Sequence, residues 1–206
     1  MSEIRASLRG NAPELLRAAD VRQWTRSTDV LVIGYGAAGA SAAIAARESG
    51  AAVLVLERAS GAGGTSGIAG GHLYLGGGTP VQQTCGFADS PEEMYKYLEA
   101  LTPEPDPLKL RLYCEHSVAH FHWLEAHGVP FDRSYYPGKA TMQPGRECLI
   151  WSGNEKVWPY RDLAQPAPRG HKVAFDGPDG GGGLLMQQLA QAALQAGVAT
   201  QFDTRV

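Results

Sequence analysis

Cysteine, positive charge and long apolar runs are all limited in this chain of 206 residues. The three cysteines, Cys85, Cys114 and Cys148, are widely spaced and form no CxxC pair, so neither a zinc site nor a disulfide framework is predicted. Reduced thiols are typical of cytosolic proteins, and the first residues lack the apolar stretch of a signal peptide. We therefore predict a cytoplasmic location.

The charge balance and the apolar pattern exclude two further classes of protein. There are 18 lysines and arginines against 21 acidic residues, a formal net charge of -3, and nucleic acid is therefore not expected as a partner. No apolar run approaches the ~20 residues that cross a bilayer as a helix, so no transmembrane segment is expected. What the chain has in excess is glycine, 26 residues in clusters, which indicates ligand loops lined by backbone.

A strand–helix–strand pattern follows residues 1–28, which we predict to form a polar N-terminal arm. Residues 29–33 are a continuous β-branched and apolar run, typical of a strand buried on both faces. Residues 37–49 are rich in alanine and end at Gly50, which predicts a helix with a glycine stop. Residues 52–56 repeat the strand pattern. This βαβ unit predicts an α/β fold with a parallel sheet.

Glycines with GxGxxG spacing, Gly34, Gly36 and Gly39, lie between the first strand and the helix. The first permits a tight turn, the second lets a pyrophosphate approach the backbone, and the third lets helix and strand pack closely. The N–H groups of residues 37–39 are expected to face the phosphates. Glu57 ends the second strand about 20 residues further on and is expected to accept hydrogen bonds from ribose hydroxyls. The pattern predicts a dinucleotide site, and the acid disfavours NADP.

The segment after Glu57 distinguishes FAD from NAD. An NAD domain would continue from its second strand into another helix, whereas residues 58–80 form a glycine-rich stretch with little charge, which we predict to be a loop. Its N–H groups can lie against a pyrophosphate, a ribitol chain and a flat ring. We call residues 61–71 the flavin loop and predict FAD as the cofactor.

The motifs resemble a known family. The glycine fingerprint, Glu57-Arg58, Gly63-Gly64-Thr65-Ser66 and Ala69-Gly70-Gly71 resemble the FAD-binding domain of fumarate reductase and succinate dehydrogenase flavoproteins and of bacterial 3-ketosteroid dehydrogenases. The stretch from Gly180 to Val206 is similar to the helix and strand that return to the FAD in that family. The resemblance implies a Rossmann-like FAD-binding domain over 29–206, with a helical insertion over about 88–180.

The resemblance also implies which residues bind the cofactor. They are Gly34, Gly36, Ala37, Ala38, Gly39, Glu57, Arg58, Gly63, Gly64, Thr65, Ser66, Ala69, Gly70, Gly71 and Val206. Family members with covalently bound flavin carry a His just before the Thr of this loop. That position is Gly64 here, so non-covalent FAD is expected.

A tyrosine pair refines the expected substrate. Tyr135-Tyr136-Pro137, followed by Pro144-Gly145-Arg146, is similar to a segment of ketosteroid dehydrogenases in which a Tyr lines the substrate cavity. Tyr135 and Tyr136 are therefore the catalytic candidates within the chain. Family members are usually more than twice as long, and the resemblance places the substrate domain and the main catalytic residues beyond Val206.

The predicted function is oxidation or reduction, by a flavin-dependent enzyme, of a carbon–carbon bond next to a carbonyl. A small molecule is the expected substrate, with steroid-like ketones as the first class, together with an electron acceptor or donor. One alternative is a fumarate-type dicarboxylate reductase, which would need clustered arginines. Another is a non-catalytic FAD-binding fragment, or half of a split enzyme completed by a second chain.

One histidine pair has a spacing that is found in metal sites. His116 and His120 are four residues apart on a predicted helix, a spacing that can bind a metal. No third ligand is evident in the sequence, so no metal is expected.

Overall fold

The structure of the protein, a computed structural model, describes residues 17–206. The predicted arm thus lies mostly outside the described residues, and its described part contains a short 3-10 helix at Ala18–Asp20. The strands are β1 Val30–Ile33, β2 Val53–Leu56, β3 His72–Tyr74, β4 Leu149–Ile150, β5 Gly170–Lys172 and β6 Ala199–Gln201. The helices are α1 Ala37–Glu48, α2 Gly64–Gly67, α3 Pro80–Thr84, α4 Pro91–Leu101, α5 Pro107–Glu115, α6 Ser117–Ala126, α7 Tyr160–Leu163 and α8 Gly181–Gln195.

The first sheet is parallel, in the order β1–β2–β6, and confirms the predicted α/β fold class. Val30 pairs with Val53, and Leu54 pairs with Ala199. Helices α1 and α8 pack against each other. Ala40 and Ala43 of α1 are fully buried, because their small side chains allow the helix to approach its neighbours closely.

Strand β1 differs from the sequence prediction. The apolar run predicted burial on both faces, but Leu31 is 51% and Ile33 is 63% exposed. Val30 and Val32 point to the other face and pack on the core. Only the β2 edge of β1 is paired within residues 17–206, and nothing in that part of the chain covers the outer face. The predicted burial on both faces is observed for β2, where Val53, Leu54 and Val55 are all buried.

The second sheet is antiparallel, in the order β3–β5–β4, and the sequence did not predict it. Its strands have two or three residues, too few for an alternating pattern to be recognised. Strand β3 lies inside the stretch 58–80, where only a loop was expected. The predicted insertion over about 88–180 is therefore helical up to α6, and then contributes β4, α7 and β5.

The helix starts follow their capping residues. Ser90 accepts a hydrogen bond from the N–H of Glu93, and Asp106 accepts from two amides of α5. Thr79 forms a complete capping box with Gln82 at the start of α3. The predicted helix that carries His116 and His120 is interrupted at His116, which lies between α5 and α6.

One apolar core joins the two sheets. It contains Val55 of the parallel sheet, Leu149 of the antiparallel sheet, Phe121 of α6 and Leu189 of α8. The parallel sheet and the insertion are therefore parts of one packed body, and the flavin loop runs from one sheet to the other.

Candidate functional site

The glycine fingerprint forms the turn between β1 and α1. Gly34 has φ +94, a conformation that favours glycine, and its N–H donates to the Leu56 carbonyl at 2.8 Å. A Cβ on Gly39 would collide with the Gly34 carbonyl oxygen. A Cβ on Gly36 would lie 3.5 Å from Ser66 Oγ, an ordinary contact. The fold therefore requires the first and third glycines, whereas the second leaves space that a ligand can use.

The first turn of α1 presents backbone amides at the end of the parallel sheet. The Ala40 N–H makes the first intrahelical bond, to the Gly36 carbonyl at 2.9 Å. The amides of Ala37, Ala38 and Gly39 precede that bond and have no partner inside the helix. The Ala37 N–H donates to Ser66 Oγ at 3.2 Å, so the flavin loop meets the helix start. Together with the helix dipole, this arrangement suits a phosphate.

Glu57 directly follows β2 and is 9% exposed. One carboxylate oxygen accepts from the Tyr35 N–H at 2.6 Å, and the other accepts from the Ala59 N–H at 2.8 Å. These bonds, with the Ala59 amide as the larger effect, lower the pKa of Glu57 and keep it charged. A carboxylate has about four acceptor positions, so both oxygens can still accept from ribose hydroxyls.

The last residues of the chain run beside Glu57. The Thr204 N–H donates to the Glu57 carbonyl at 2.9 Å, and the Asp203 N–H donates to that of Ala59 at 3.2 Å. Val206, two residues after Thr204, is 66% exposed, and Arg58 is also exposed. The structure thus brings the end of the chain, with the predicted residue Val206, to the same edge of the sheet as Glu57 and Arg58.

The flavin loop is shaped by glycines and held by backbone contacts. Gly63 and Gly64 have φ +138 and +50, and the Gly63 N–H donates to the Tyr35 carbonyl at 2.8 Å. Thr65, in the single turn of α2, is exposed. The loop is therefore a defined backbone surface that starts next to the fingerprint.

The end of the flavin loop packs on the start of α8. The Gly182 N–H donates to the Ala69 carbonyl at 2.9 Å. A Cβ on Gly71 would lie 2.8 Å from the Gly181 carbonyl oxygen, and a Cβ on Gly181 would collide with Gly70. Only the family resemblance predicted a role for Gly180–Gly183 at the cofactor. This run of four glycines allows the two backbones to approach so closely, because none of them carries a side chain.

A cleft of about 830 Å³ lies between the flavin loop and α8. Its lining includes Gly63 and Gly64, and Tyr35 and Phe202 stack beside it with ring centroids 6.3 Å apart. Gly36 and Glu57 do not line it. The cleft is therefore beside the fingerprint. Phe202 was not predicted from the sequence, because it lies in no recognisable motif.

These features fit FAD. The α1 amides can bind phosphate, the charged Glu57 can bind ribose hydroxyls, and the side-chain-poor backbone at residues 69–71 can lie against a flat ring. Hydrogen bonds connect these features: Glu57 accepts from the Tyr35 N–H, and Ser66 Oγ accepts from the Ala37 N–H.

Tyr135 and Tyr136 lie at the edge of the second sheet. Tyr135 pairs with Leu149, and its ring packs edge-on against Phe87 with centroids 4.9 Å apart. The Tyr136 N–H donates to the Leu149 carbonyl at 2.9 Å. Leu73, His171, Leu149 and Tyr135 form one row across the sheet, so three strand spacings, about 14 Å, separate Tyr135 from the strand after Gly71. The width of the sheet therefore separates the Tyr135 backbone from the flavin loop.

Within residues 17–206, no group of three or more His, Cys, Asp or Glu side chains is arranged to hold a metal ion. No helix in that part of the chain has both the length and the apolar character to cross a membrane.

A family model described as an FAD binding domain matches residues 29–206. This chain belongs to that FAD-binding family. Membership confirms the family resemblance and FAD as the cofactor. The match begins at the residue before β1, and so it contains the fingerprint, the flavin loop and α8.

Relatives of this FAD-binding domain include steroid dehydrogenases. It is 39% identical over 194 residues to a 3-oxo-5-alpha-steroid 4-dehydrogenase of Comamonas testosteroni, covering 92% of this chain and 36% of the relative. It resembles the solved 3-ketosteroid-delta4-(5alpha)-dehydrogenase of Rhodococcus jostii RHA1 with TM-score 0.89 and 46% identity, covering 92% of this chain and 40% of that one. The FAD-binding domain thus spans well under half of the length of these relatives.

Fumarate reductases are more distant relatives of the domain. A fumarate reductase (cytochrome) of Shewanella frigidimarina is 34% identical over 104 residues, which is 50% of this chain and 18% of the relative. A solved flavocytochrome c3 fumarate reductase covers 100% of this chain and 29% of its own, with TM-score 0.66 and 24% identity, and so shows the shared fold.

Proposed function

We propose that this FAD-binding domain serves an oxidoreductase that acts on a carbon–carbon bond next to the carbonyl of a steroid-like ketone. The similarity to a 3-ketosteroid-delta4-(5alpha)-dehydrogenase over 92% of the chain carries this proposal. FAD, when bound, supplies acceptance or delivery of a hydride. An electron acceptor or donor must complete the reaction.

The residues of the chain bind and orient the cofactor. The amides of Ala38 and Gly39, with Gly36 giving access, hold the pyrophosphate. Glu57 accepts from the ribose hydroxyls, and the backbone near Val206 lies beside the adenosine. The backbone of residues 63–66 and 69–71 supports the rest of the cofactor. Gly64 offers no nucleophile at the position where a His is found in covalent members, so the FAD is held non-covalently.

Tyr135 and Tyr136 line the substrate side in this proposal. Phe87 holds the Tyr135 ring edge-on, which orients its hydroxyl. A tyrosine hydroxyl can donate a hydrogen bond to the oxygen of a substrate carbonyl. The two rings therefore shape the cavity and donate hydrogen bonds, while the main acid–base groups belong to a substrate domain outside this chain.

The arginines of the insertion favour a ketone over a dicarboxylate. A dicarboxylate site needs arginines that are free to bind two carboxylates. Every arginine between residues 80 and 180 pairs instead with a carboxylate of the chain: Arg111 with Glu92, Arg133 with Glu125, Arg146 with Asp132, Arg161 with Asp162 and Arg169 with Asp89. The dicarboxylate reductase is thus the second candidate.

We also propose that a further polypeptide segment or a second chain covers the outer face of β1. The exposed Leu31 and Ile33 support this, since apolar strand residues in α/β sheets are normally packed on both faces. The free state of all three cysteines supports a cytoplasmic location.

Flavin spectroscopy tests the proposal. The protein as purified or reconstituted is expected to absorb in the visible and to release FAD, identified by mass, on denaturation. Flavin that stays attached to the denatured chain would contradict non-covalent binding.

Substrate assays then test the reaction. A longer form that includes the substrate domain is expected to show flavin bleaching with 3-ketosteroids and turnover with an artificial electron acceptor, whereas residues 1–206 alone are not. Oxidation of the reduced flavin by fumarate, with no response to ketosteroids, would favour the second candidate. Robust turnover by residues 1–206 alone would place the catalytic groups within this chain.

A further inference from the structure

Lys172, on β5, is a fully buried cation enclosed by backbone carbonyls. Its Nζ donates to the carbonyl of Gln143 at 3.0 Å and to those of Gly145 and Gly177 at 2.5 Å. A neutral amine has only two N–H bonds, so three acceptors require the ammonium form. Burial lowers the pKa of Lys172, and the charge of Glu147, followed by that of Asp176, acts in the opposite direction.

The three carbonyls belong to two segments that flank the end of the flavin loop. In the first, Met142 precedes Gln143 and lies against Gly70, because a Cβ on Gly70 would be 2.8 Å from Met142 Sδ. In the second, Gly177 leads into the start of α8, whose Gly181 contacts the Gly71 backbone. Gly70 and Gly71 are therefore held between two segments that one ammonium group joins.

The chain around Lys172 reinforces this connection. The Lys172 N–H donates to the Cys148 carbonyl at 2.9 Å, and the Gln143 side-chain amide donates to the same oxygen at 2.6 Å. The Val173 N–H donates to the Gly71 carbonyl at 3.0 Å. The strand that carries the ammonium is thus itself hydrogen-bonded to the flavin loop.

We propose that Lys172 is a positioning residue that fixes the backbone of Gly70 and Gly71 for the flavin. It touches neither residue itself and acts through Met142 on one side and Gly181 on the other. The inference rests on the proposed placement of FAD against Gly70 and Gly71. It does not depend on the substrate class, so a failed steroid assay leaves it standing.

The test compares Lys172→Met with Met94→Ala. Met removes the ammonium and keeps an unbranched side chain. Met94 is buried in a separate apolar cluster with Tyr95 and Cys114, so its truncation lowers stability without touching either flanking segment. FAD titration of each apoprotein, at a temperature where circular dichroism shows it folded, is expected to give at least a tenfold higher Kd for Lys172→Met and a change within twofold for Met94→Ala.

Hydrogen exchange on the apoproteins is the second readout. Faster exchange is expected in Lys172→Met at residues 142–147 and at the Gly182 amide. If Lys172→Met does not fold, Met142→Ala decides, with an expected rise in Kd of at least threefold.

Two results would overturn the proposal. One is an unchanged Kd in Lys172→Met, or in Met142→Ala where that variant decides. If hydrogen exchange is nevertheless faster, Lys172 orders the loop but FAD does not rest on it. The other is an equal loss of affinity in Met94→Ala, which would make the effect one of stability.

Discussion

The two sheets of this domain are surrounded by different kinds of residue. Around the parallel sheet, the site consists of backbone amides, glycines and alanines, with Glu57 as its one buried carboxylate. Around the antiparallel sheet, Asp89, Arg169, His171 and Lys172 have fully buried side chains and hydrogen-bond to distant parts of the chain. The proposed cofactor site of the first region relies on local backbone geometry, whereas the second region depends on long-range polar pairs. Substitutions should therefore affect mainly ligand affinity in the first region and mainly stability in the second, with Lys172 expected to affect both because it acts on the flavin loop.

The largest effect is expected at the buried ion pair. Asp89 accepts from Arg169 at 2.7 and 3.0 Å and also from the Gly77 N–H. Asp89→Ala would leave the guanidinium buried and uncompensated, which costs about 3–5 kcal/mol of unfolding free energy. Urea denaturation measures it. The exposed pair of Asp132 and Arg146 is the control, where Asp132→Ala should cost no more than about 1 kcal/mol. Equal losses in both variants would contradict the contrast.

Acid should also weaken the second region first. Burial lowers the pKa of His171 to about 4. Its Nδ1 lies 3.0 Å from the Arg169 carbonyl and must donate to it, so the neutral ring accepts from the Thr79 hydroxyl through Nε2, at 2.8 Å. The stabilisation is therefore fully present above the unfolded pKa of about 6.5 and lost as pH falls towards 4, a change of about 3 kcal/mol.

The measurement is the unfolding free energy between pH 7 and pH 4 for the parent and for His171→Gln. Carboxylates titrate in both proteins, so only the difference between the two curves reports His171. His72, whose pKa is also lowered by burial, contributes to both curves in the same direction. Parallel curves would show that His171 is not held neutral.

In the first region, Gly36→Val should abolish tight FAD binding while the fold persists. A Cβ there meets only ordinary contacts, but the branched side chain would fill the approach of the pyrophosphate. We expect Kd to rise at least about 100-fold, or about 3 kcal/mol. Gly39→Val is the matched comparison variant. It should fail to fold, because a Cβ there would collide with the Gly34 carbonyl oxygen, whereas Gly36→Val should fold. Parent-like FAD affinity in Gly36→Val would remove the phosphate assignment.

The smallest effects are expected at the helix caps of α3 and α4. Thr79→Ala removes the capping box and the hydroxyl that His171 accepts from, and should lower the unfolding free energy by about 1–2 kcal/mol. Ser90→Ala, which loses a single cap bond at α4, should cost about 1 kcal/mol or less. A larger loss at Ser90 would show that the Thr79–His171 bond adds nothing.

The same contrast explains what could be predicted from the sequence. The βαβ unit, the fingerprint and Glu57 could be predicted because the turn, the helix start and the strand end lie within about 30 residues of one another. Arg169 and Asp89 are 80 positions apart, and no local sequence pattern predicts their pairing. Strands of two or three residues left the second sheet unrecognised. The capping box at Thr79-Pro80-Val81-Gln82 has a recognisable sequence pattern, but it was not predicted, because the stretch 58–80 was interpreted as a loop.

Within residues 17–206 one edge of β1 is unpaired, and this has a consequence for handling the molecule. An apolar strand with an unpaired side is a template to which another extended chain can add, and natural proteins usually protect such edges with charge, proline or a bulge. Residues 30–33 carry none of these, and Leu31 and Ile33 face solvent. While that edge stays uncovered, the domain is expected to self-associate, and the associated fraction should rise steeply with protein concentration.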